Sequence, residues 1–324
     1  MRNRVRLLAL LLLVLATGLA ACQGGEVATT LTLVPAPTLN SPIATAAPTV
    51  VSPIPTPVEP ILFQGTKAFE FVQDQMRFGA RPTGSIENRA TGDYIIQRLR
   101  EYGWDVTEQE FEYRDTPVRN IIGARGEGPT ILLGAHYDTR KRADRDPVDP
   151  TQPVPGANDG ASGVAVLLEL ARVLNVEATG HHIQLAFFDA EDNGELDGWE
   201  WIVGSRYMAS QLTENLKMMI LVDMVGDADQ QIGWETHSDP NLRDRIWKVA
   251  VELGYEAYIN LETNYPLSSD DHFPFLERGI PAIDIIDFSY PYWHTTQDTI
   301  DKVSAESLER VGRTLQVWLE RGAS

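Results

Sequence analysis

An apolar run that ends in three carboxylates, residues 183–192, constrains the fold of this chain most. It reads Ile-Gln-Leu-Ala-Phe-Phe-Asp-Ala-Glu-Asp, and so short a run of β-branched and aromatic residues is typical of a buried central strand. Asp189, Glu191 and Asp192 lie at its carboxyl end, where open α/β sheets build their sites. Carboxylates crowded there repel one another unless a cation or a proton offsets the charge. We therefore expect other elements to bring metal ligands to this strand end.

The first 60 residues predict an export signal followed by a tether. Three arginines among the first six residues precede an apolar stretch, residues 7–19, which is too short to span a bilayer comfortably. The following Leu-Ala-Ala-Cys sequence resembles the lipobox of bacterial lipoproteins, which implies a multiply acylated Cys22. We expect residues 1–22 to be a lipoprotein signal peptide; an ordinary signal peptide or an uncleaved anchor is the alternative. Residues 23–60 are rich in Pro, Thr and Ala and predict a disordered tether that holds the domain off the membrane. From the lipobox-like sequence we expect a cell-envelope lipoprotein outside the cytoplasm.

Composition excludes several classes of protein. The net charge of −19 argues against a nucleic-acid partner, because neutralising phosphates needs a basic face. Cys22 is the only cysteine, so neither an intrachain disulfide nor a cysteine-rich zinc site can form. The lipid anchor is then the only expected contact with a membrane, and we expect a monomer.

Residues 61–324 alternate predicted strands with predicted helices, which indicates one three-layer α/β domain with a central, mostly parallel, mixed sheet between helices. Apolar spacing predicts helices at 63–78, 86–102, 164–174, 205–212, 241–253 and 304–320, and a short helix within 268–278. The predicted strands are 104–113, 120–124, 130–135, 183–188, 218–222 and 280–286. Residues 139–155 form a charged loop, which either closes over a site or stays in solvent.

Ionisable side chains recur where these predicted strands end. His136 and Asp138 follow one strand, Asp223 follows another, His294 follows the last, and Asp159 precedes a helix. Each has an ordinary explanation alone, such as a hydrogen-bonded histidine, a helix cap or a turn. Their recurrence predicts a site, and nitrogen and oxygen donors favour a divalent ion, with zinc first. We expect Asp138 to accept the second ring N–H of His136 and so to orient that ring.

A set of motifs recurs across the domain, from about residue 79 to the last helix. They are His136-Tyr137-Asp138, residues 156–163, residues 187–192 with Gly204-Ser205-Arg206 after them, Asp223, Asp270-Asp271-His272 and Trp293-His294-Thr295. Together these motifs resemble the zinc-dependent aminopeptidase family that also contains the animal-type glutaminyl-peptide cyclotransferases. The resemblance implies a zinc aminopeptidase-like fold and an enzyme that acts on peptide or protein N termini.

The resemblance implies two alternative sites. A two-zinc aminopeptidase would bind one ion through His136, Asp159 and Asp223. It would bind the second through Asp159, Asp192 and His294, with Asp159 bridging and Glu191 as general base. A cyclotransferase would need one zinc ion, held by Asp159, Asp192 and His294. Glu191 would then carry a proton, while Asp223 and Asp271 would belong to a hydrogen-bond network around the substrate.

The tryptophans favour the cyclotransferase, which converts N-terminal glutamine to pyroglutamate with loss of ammonia. Trp293 precedes His294, and Trp199 and Trp201 follow the carboxylate pair, so all three are candidates for the substrate pocket, although ordinary packing also explains them. The alternative is the two-zinc exo-aminopeptidase. A catalytically silent binding domain is disfavoured because the base and ligands are present. The chain departs from the family in one position, where the second residue of the usual Glu-Glu pair is Asp192. Its shorter side chain requires the backbone to approach the metal more closely.

Overall fold

In a computed structural model, six strands form a central mixed sheet. The structure describes residues 61–213 and 215–324, together with Thr30 and Thr32. The predictions on Cys22, on the signal peptide and on the rest of the tether lie outside these residues. In chain order the helices are α1 (Gly65–Met76), α2 (Ile86–Glu101), α3 (Ala161–Val173), α4 (Val176–Thr179), α5 (Val203–Gln211), α6 (Pro240–Glu252), α7 (Phe273–Glu277) and α8 (Ala305–Glu320). The strands are β1 (Asp105–Tyr113), β2 (Thr116–Arg125), β3 (Thr130–His136), β4 (His182–Phe188), β5 (Leu216–Asp223), β6 (Ile232–Glu235), β7 (Ile259–Tyr265) and β8 (Ala282–Ile286).

The strand order of the main sheet is β1-β2-β4-β3-β5-β8. The four strands β4, β3, β5 and β8 run parallel, whereas β1 and β2 add antiparallel pairs at one edge. Helices α1, α2, α3, α6 and α8 contribute side chains to the core on one face, and α5 and α7 contribute to a smaller core on the other. The predicted three-layer fold with a mostly parallel, mixed sheet is confirmed.

The parallel strands place their carboxyl ends at one edge, which is where the predicted site residues follow them. His136 is the last residue of β3 and Asp223 the last of β5, and the carboxylate run begins directly after β4. The four strands align in this register because their central residues are buried on both faces, as the run Thr130–His136 is throughout its length. Burial on both faces produces the continuous apolar runs that the sequence shows.

Four elements differ from the sequence prediction. Strand β2 begins at Thr116 rather than at residue 120, because Arg114 and Asp115 form a two-residue turn with positive φ values of 50° and 59°. Pro117 is tolerated because β4 pairs with β2 only from Ile121 onward. Strands β6 and β7, which pair as a small separate sheet, and the short helix α4 were not predicted. Among the helices that the structure describes, none has both the length and the apolar character needed to cross a membrane.

Candidate metal centre

Three predicted ligands meet where β3 and β5 end beside the start of α3. Nε2 of His136 lies 3.1 Å from Oδ1 of Asp159 and 3.2 Å from Oδ1 of Asp223. Each residue offers one ligand atom, and these atoms lie within 4.8 Å of one another. This group matches the ligand set that the resemblance implies for one ion of a two-zinc site.

A second group shares Asp159 with the first. Nε2 of His294 lies 3.0 Å from Oδ1 of Asp192 and 3.7 Å from Oδ2 of Asp159. Asp159 therefore faces His136 with one oxygen and His294 with the other, which is the arrangement of a bridging carboxylate. The structure thus brings all five predicted ligands together, and all five are buried.

The chemistry of these residues fits a metal ion. The Oδ2 atoms of Asp159 and Asp192 are buried and accept no hydrogen bond from any described residue. Burial and the nearby charge of Asp159 raise the pKa of Asp192 to about 6. Carboxylates in such a place are costly without a compensating cation, and a divalent ion bound by them would supply it.

Glu191 lies next to this centre and lines the cavity in front of it. The cavity measures about 210 Å³, and its lining includes Asp159, Asp192 and Asp223 as well as Glu191. Oε2 of Glu191 is 4.0 Å from Nδ1 of His136. Burial, together with the charges of Asp192 and of the Asp270-Asp271 pair, raises the pKa of Glu191 well above its usual value, against the opposing effect of His136. A carboxylate with a raised pKa is suited to accept and return a proton near neutral pH.

Asp271 takes a position behind the cavity rather than in its lining. Its side chain is fully buried, and burial raises its pKa to about 7. Its charge acts on Glu191, so the two belong to one electrostatic group. The structure therefore places Asp271 near the predicted base, although it does not bring Asp271 to the surface that a substrate would touch.

Asp138 does not play the part that the sequence predicted. Its Oδ1 is 3.6 Å from Nδ1 of His136, which is too long for a hydrogen bond. The same oxygen accepts the backbone N–H of Glu191 at 3.0 Å, and Oδ2 accepts the backbone N–H of Asp192 at 3.2 Å and the hydroxyl of Thr83 at 3.1 Å. Asp138 thus holds the backbone of the carboxylate pair. Asp189, the first of the three carboxylates, accepts hydrogen bonds from the side-chain amide of Asn88 and from the backbone N–H groups of Ala190 and Arg119.

Two of the three predicted pocket tryptophans contact the His294 ring. The Trp201 ring stacks on the His294 ring with centroids 5.9 Å apart at 11°, and the Trp293 centroid is 3.9 Å from that of His294. Both tryptophans line the cavity. Trp199 is not part of this lining, and its ring packs against Tyr113 in a small apolar cluster. Trp199 and Trp201 are thus only two residues apart in sequence but pack in different surroundings.

The sequence analysis missed two buried residues that hold the ligands in place. Arg140 donates from Nη1 to the carbonyl oxygen of Asp192 at 2.9 Å, and its guanidinium lies 4.7 Å from the centroid of the Trp201 ring. Asp298 accepts the backbone N–H groups of Asn158 at 2.8 Å and Asp159 at 3.1 Å. Arg140 lies in a charged run that is typical of a solvated loop, and Asp298 lies in no recognisable motif. No signal in the sequence distinguishes either residue.

The loop 139–155 is attached to the site by several hydrogen bonds. The backbone N–H of Arg145 donates to the carbonyl oxygen of His294 at 3.3 Å, and the Arg145 guanidinium lies 3.9 Å from the centroid of the Trp293 ring. Asp146 accepts the backbone N–H of Thr296 at 2.8 Å and also bonds the hydroxyl of that residue. In this structure the loop therefore forms a fixed part of the rim.

Backbone strain concentrates in the segments that carry these residues. Ala190, Met224 and His294 adopt positive φ values of 60°, 44° and 58°, which are uncommon for residues other than glycine. Ala190 precedes Glu191, Met224 follows Asp223, and His294 is itself a predicted ligand. Strained residues of this kind persist at functional sites, where the surrounding structure holds them.

Comparison with known proteins identifies the family. The sequence model of peptidase family M28 matches residues 120–319, a range that contains all five predicted ligands and Glu191. The chain belongs to peptidase family M28. The resemblance stated from the motifs is therefore confirmed.

Relatives of this M28 chain include cyclases and peptidases. The structure of a glutaminyl cyclase from Porphyromonas gingivalis has 36% sequence identity and a TM-score of 0.75, covering 80% of this chain and 98% of that one. The structure of a Zn-dependent exopeptidase from Parabacteroides distasonis has 32% identity and a TM-score of 0.73, with coverage of 80% and 98%. The glutaminyl-peptide cyclotransferase of Drosophila melanogaster is 27% identical over 278 residues, covering 72% of this chain and 75% of that protein. The M28 family and the exopeptidase imply zinc as the metal.

Proposed function

We propose that this M28 protein is a zinc-dependent glutaminyl cyclase, which converts the N-terminal glutamine of peptides to pyroglutamate and releases ammonia. The observation that carries the proposal is that two indole rings, Trp201 and Trp293, both contact the His294 ring and both line a cavity of about 210 Å³. Apolar walls beside a metal ligand suit a small, uncharged side chain such as a carboxamide. The similarity to proteins described as glutaminyl cyclases supports the same reaction.

Asp159, Asp192 and His294 would hold the zinc ion. When bound there, zinc supplies Lewis acidity that polarises the γ-carboxamide of the substrate. Glu191 takes a proton from the α-amine as its nitrogen forms a bond to the γ-carbonyl carbon. The bond from that carbon to the amide nitrogen then breaks, and Glu191 gives the proton to the departing ammonia. Trp201 and Trp293 exclude water, which would otherwise compete with the α-amine for the same carbon.

A two-zinc exo-aminopeptidase is the second candidate, and one observation favours it. His136, Asp159 and Asp223 form a complete second ligand group around the shared Asp159. With that group filled, Glu191 would take its proton from an attacking water, and the bond broken would be the first peptide bond of the substrate. In the cyclase, Asp223, which lines the cavity, would instead bind the substrate by hydrogen bonds, and Asp271 would act on Glu191 through its charge.

Two peptides that differ only in their first residue separate the candidates. We expect the purified protein to release ammonia from a Gln-initiated peptide and to leave its length unchanged, as read by mass spectrometry. Release of free leucine from an otherwise identical Leu-initiated peptide would instead identify the aminopeptidase. The number of zinc ions held by the two ligand groups of the candidate centre, one or two, gives a parallel readout. Activity that survives thorough chelation would contradict both zinc mechanisms.

The matched control for this assay is Glu191→Gln. The substitution keeps the size and the hydrogen-bonding shape of the side chain but removes its ability to take up a proton. We expect turnover to fall by about 10²–10⁴-fold, with folding and zinc content unchanged. A variant with near-normal turnover would show that Glu191 is not the base.

We also propose, from the sequence alone, that the protein is a monomeric cell-envelope lipoprotein attached outside the cytoplasm through acylated Cys22. The support is the lipobox-like sequence and the single cysteine. The Cys22→Ala variant should leave the membrane fraction of the producing cell and lose incorporation of labelled fatty acid. Equal membrane association of the variant and the wild type would contradict the anchor.

A further inference from the structure

A third cluster of ligand-type residues lies deeper in the fold than the candidate metal centre. Asp270, His272 and Asp284 each offer one ligand atom, and these atoms lie within 4.8 Å of one another. Their exposed fractions are 6%, 0% and 2%. Asp284 of β8 pairs in register with Leu221, two residues before Asp223 in β5. The cluster shares no residue with either ligand group of the centre. Because of this register, Asp284 lies nearer the middle of the sheet than Asp223 does.

His272 is oriented in the way that metal-ligating histidines usually are. Its Nε2 lies 3.0 Å from Oε2 of Glu235, a buried carboxylate. Burial alone would raise the pKa of Glu235, but hydrogen bonds from His272 and from the backbone N–H of His237 outweigh it and hold that pKa at about 2. A firm carboxylate acceptor keeps the ring proton of His272 on Nε2. A carboxylate that binds the distal ring nitrogen fixes the tautomer and the orientation of a ligating imidazole.

The atoms left over in this cluster lack partners. Nδ1 of His272 and both carboxylate oxygens of Asp284 are buried and have no hydrogen bond from any described residue. The carboxylate of Asp270 accepts one hydrogen bond, at Oδ1 from the backbone N–H of Asp271 at 2.6 Å, and lies close enough to the Asp284 carboxylate to share a proton with it. Buried polar atoms are nearly always partnered in folded proteins, so each exception needs an explanation. Two carboxylates and one neutral imidazole carry a charge of −2, which one divalent cation would neutralise.

We propose that Asp270, His272 and Asp284 bind a further divalent metal ion with a structural role, separate from the ion or ions of the candidate centre. One nitrogen and two carboxylates form a ligand set that zinc accepts. The ion would tie three elements together, because Asp270 and His272 lie before α7, Asp284 lies in β8, and Glu235 ends β6. It would also fix the segment that carries Asp271, the neighbour of the proposed base. The proposal does not depend on whether the enzyme is a cyclase or a peptidase.

Counting zinc ions in matched variants tests this site. Wild type and Asp284→Asn are loaded with zinc, freed of excess metal by gel filtration, and analysed by plasma mass spectrometry. Asp284→Asn should fold whether or not an ion binds, because it removes a buried negative charge and preserves shape. We expect the variant to contain one zinc ion fewer per chain than the wild type. His272→Gln should show the same loss, and Asp287→Asn, the same change three residues further on and outside the cluster, should show none.

A second measurement isolates the site from the candidate centre. In the His136→Ala/His294→Ala background each ligand group of the centre keeps only carboxylates, so zinc that remains tightly bound belongs to the inner cluster. Added zinc should raise the melting temperature of this background, and adding Asp284→Asn should abolish that rise. Equal zinc contents in wild type and Asp284→Asn, together with an equal response of the two backgrounds to zinc, would overturn the proposal and leave a proton shared between Asp270 and Asp284. Neither readout requires activity, so failure of the proposed function would not affect it.

Discussion

Replacing Asp138 by asparagine tests how the carboxylate pair is positioned. Asp138 is fully buried and accepts the backbone N–H groups of Glu191 and Asp192, one with each oxygen. Asparagine offers one oxygen and one NH₂ group, so in either orientation one of these backbone N–H groups faces another donor. The loss of one hydrogen bond to a charged group and the stranding of one buried N–H should together cost about 3 kcal/mol of folding stability.

The consequence for catalysis follows from the same geometry. A backbone that is released at Glu191 and Asp192 lets the proposed base move, and a displacement of about 1 Å costs roughly 10²-fold in rate. We therefore expect Asp138→Asn to lower kcat about 100-fold, with a smaller effect on KM. Urea unfolding gives the stability, and steady-state kinetics on a Gln-initiated peptide gives kcat and KM.

Thr83→Val is the matched control for Asp138→Asn, and the competing explanation is that Asp138 orients the His136 ring. Thr83→Val removes the hydroxyl that donates to Asp138 and accepts from the side-chain amide of Asn193, so it should cost about 1–2 kcal/mol and leave kcat almost unchanged. If Asp138 instead oriented the His136 ring, its loss would weaken metal affinity about 10–100-fold at an unchanged kcat with metal in excess. That outcome, or a variant as stable and as active as the wild type, would refute the positioning of the pair by Asp138.

Three further predictions concern the pocket, the rim and acid stability. Trp201→Leu should lower kcat/KM at least about 10-fold because it removes a wall of the cavity and the stack on His294. Trp199→Leu should lower only the unfolding free energy, by about 1–2 kcal/mol. Equal effects of the two variants on kcat/KM would contradict the different positions of the two rings. Asp146→Ala should release the loop 139–155 from Thr296, so limited proteolysis should cut there faster than in the wild type, and an unchanged rate would show that other contacts suffice. Hydrogen bonds hold the pKa of Glu235 at about 2 instead of 4.5. The ionised carboxylate therefore contributes about 3 kcal/mol to the free energy of unfolding above about pH 4.5. This contribution is lost as the pH falls towards 2. Urea unfolding at pH 7 and pH 3 should therefore show a smaller loss of stability for Glu235→Gln than for the wild type, and parallel losses would refute this assignment.

The parallel strands could be predicted from sequence because each carries a continuous apolar run. Residues 183–188 and 218–222 were predicted as strands and lie within His182–Phe188 and Leu216–Asp223. Since parallel strands end at a common edge, side chains that follow several such runs must meet. From this rule alone, the sequence predicts that His136 and Asp223 lie close to Glu191.

The partners of individual side chains could not be predicted in the same way. His136 and Asp138 are two residues apart, a spacing that places side chains on one face of a strand, but β3 ends at His136 and the rule no longer applies beyond it. Asp138 therefore turns towards the backbone of Glu191, 53 residues away. Strands β6 and β7 were missed because they are short or polar, and their pairing depends on register rather than on a continuous apolar run.

The short side chain of Asp192 links these positioning contacts to the metal. The resemblance implies glutamate at this position, so aspartate would reach the same ion only if its backbone lay closer to it. In the structure the backbone of Asp192 is held from two sides, by Asp138 at its N–H and by Arg140 at its carbonyl oxygen. Its carboxylate thereby comes within 3.0 Å of Nε2 of His294. Because Asp138 also holds the N–H of Glu191, the contact that brings the short ligand forward also sets the proposed base. A change at Asp138 must then alter ligand geometry and proton transfer together, whereas a change at Arg140 acts first on the ligand.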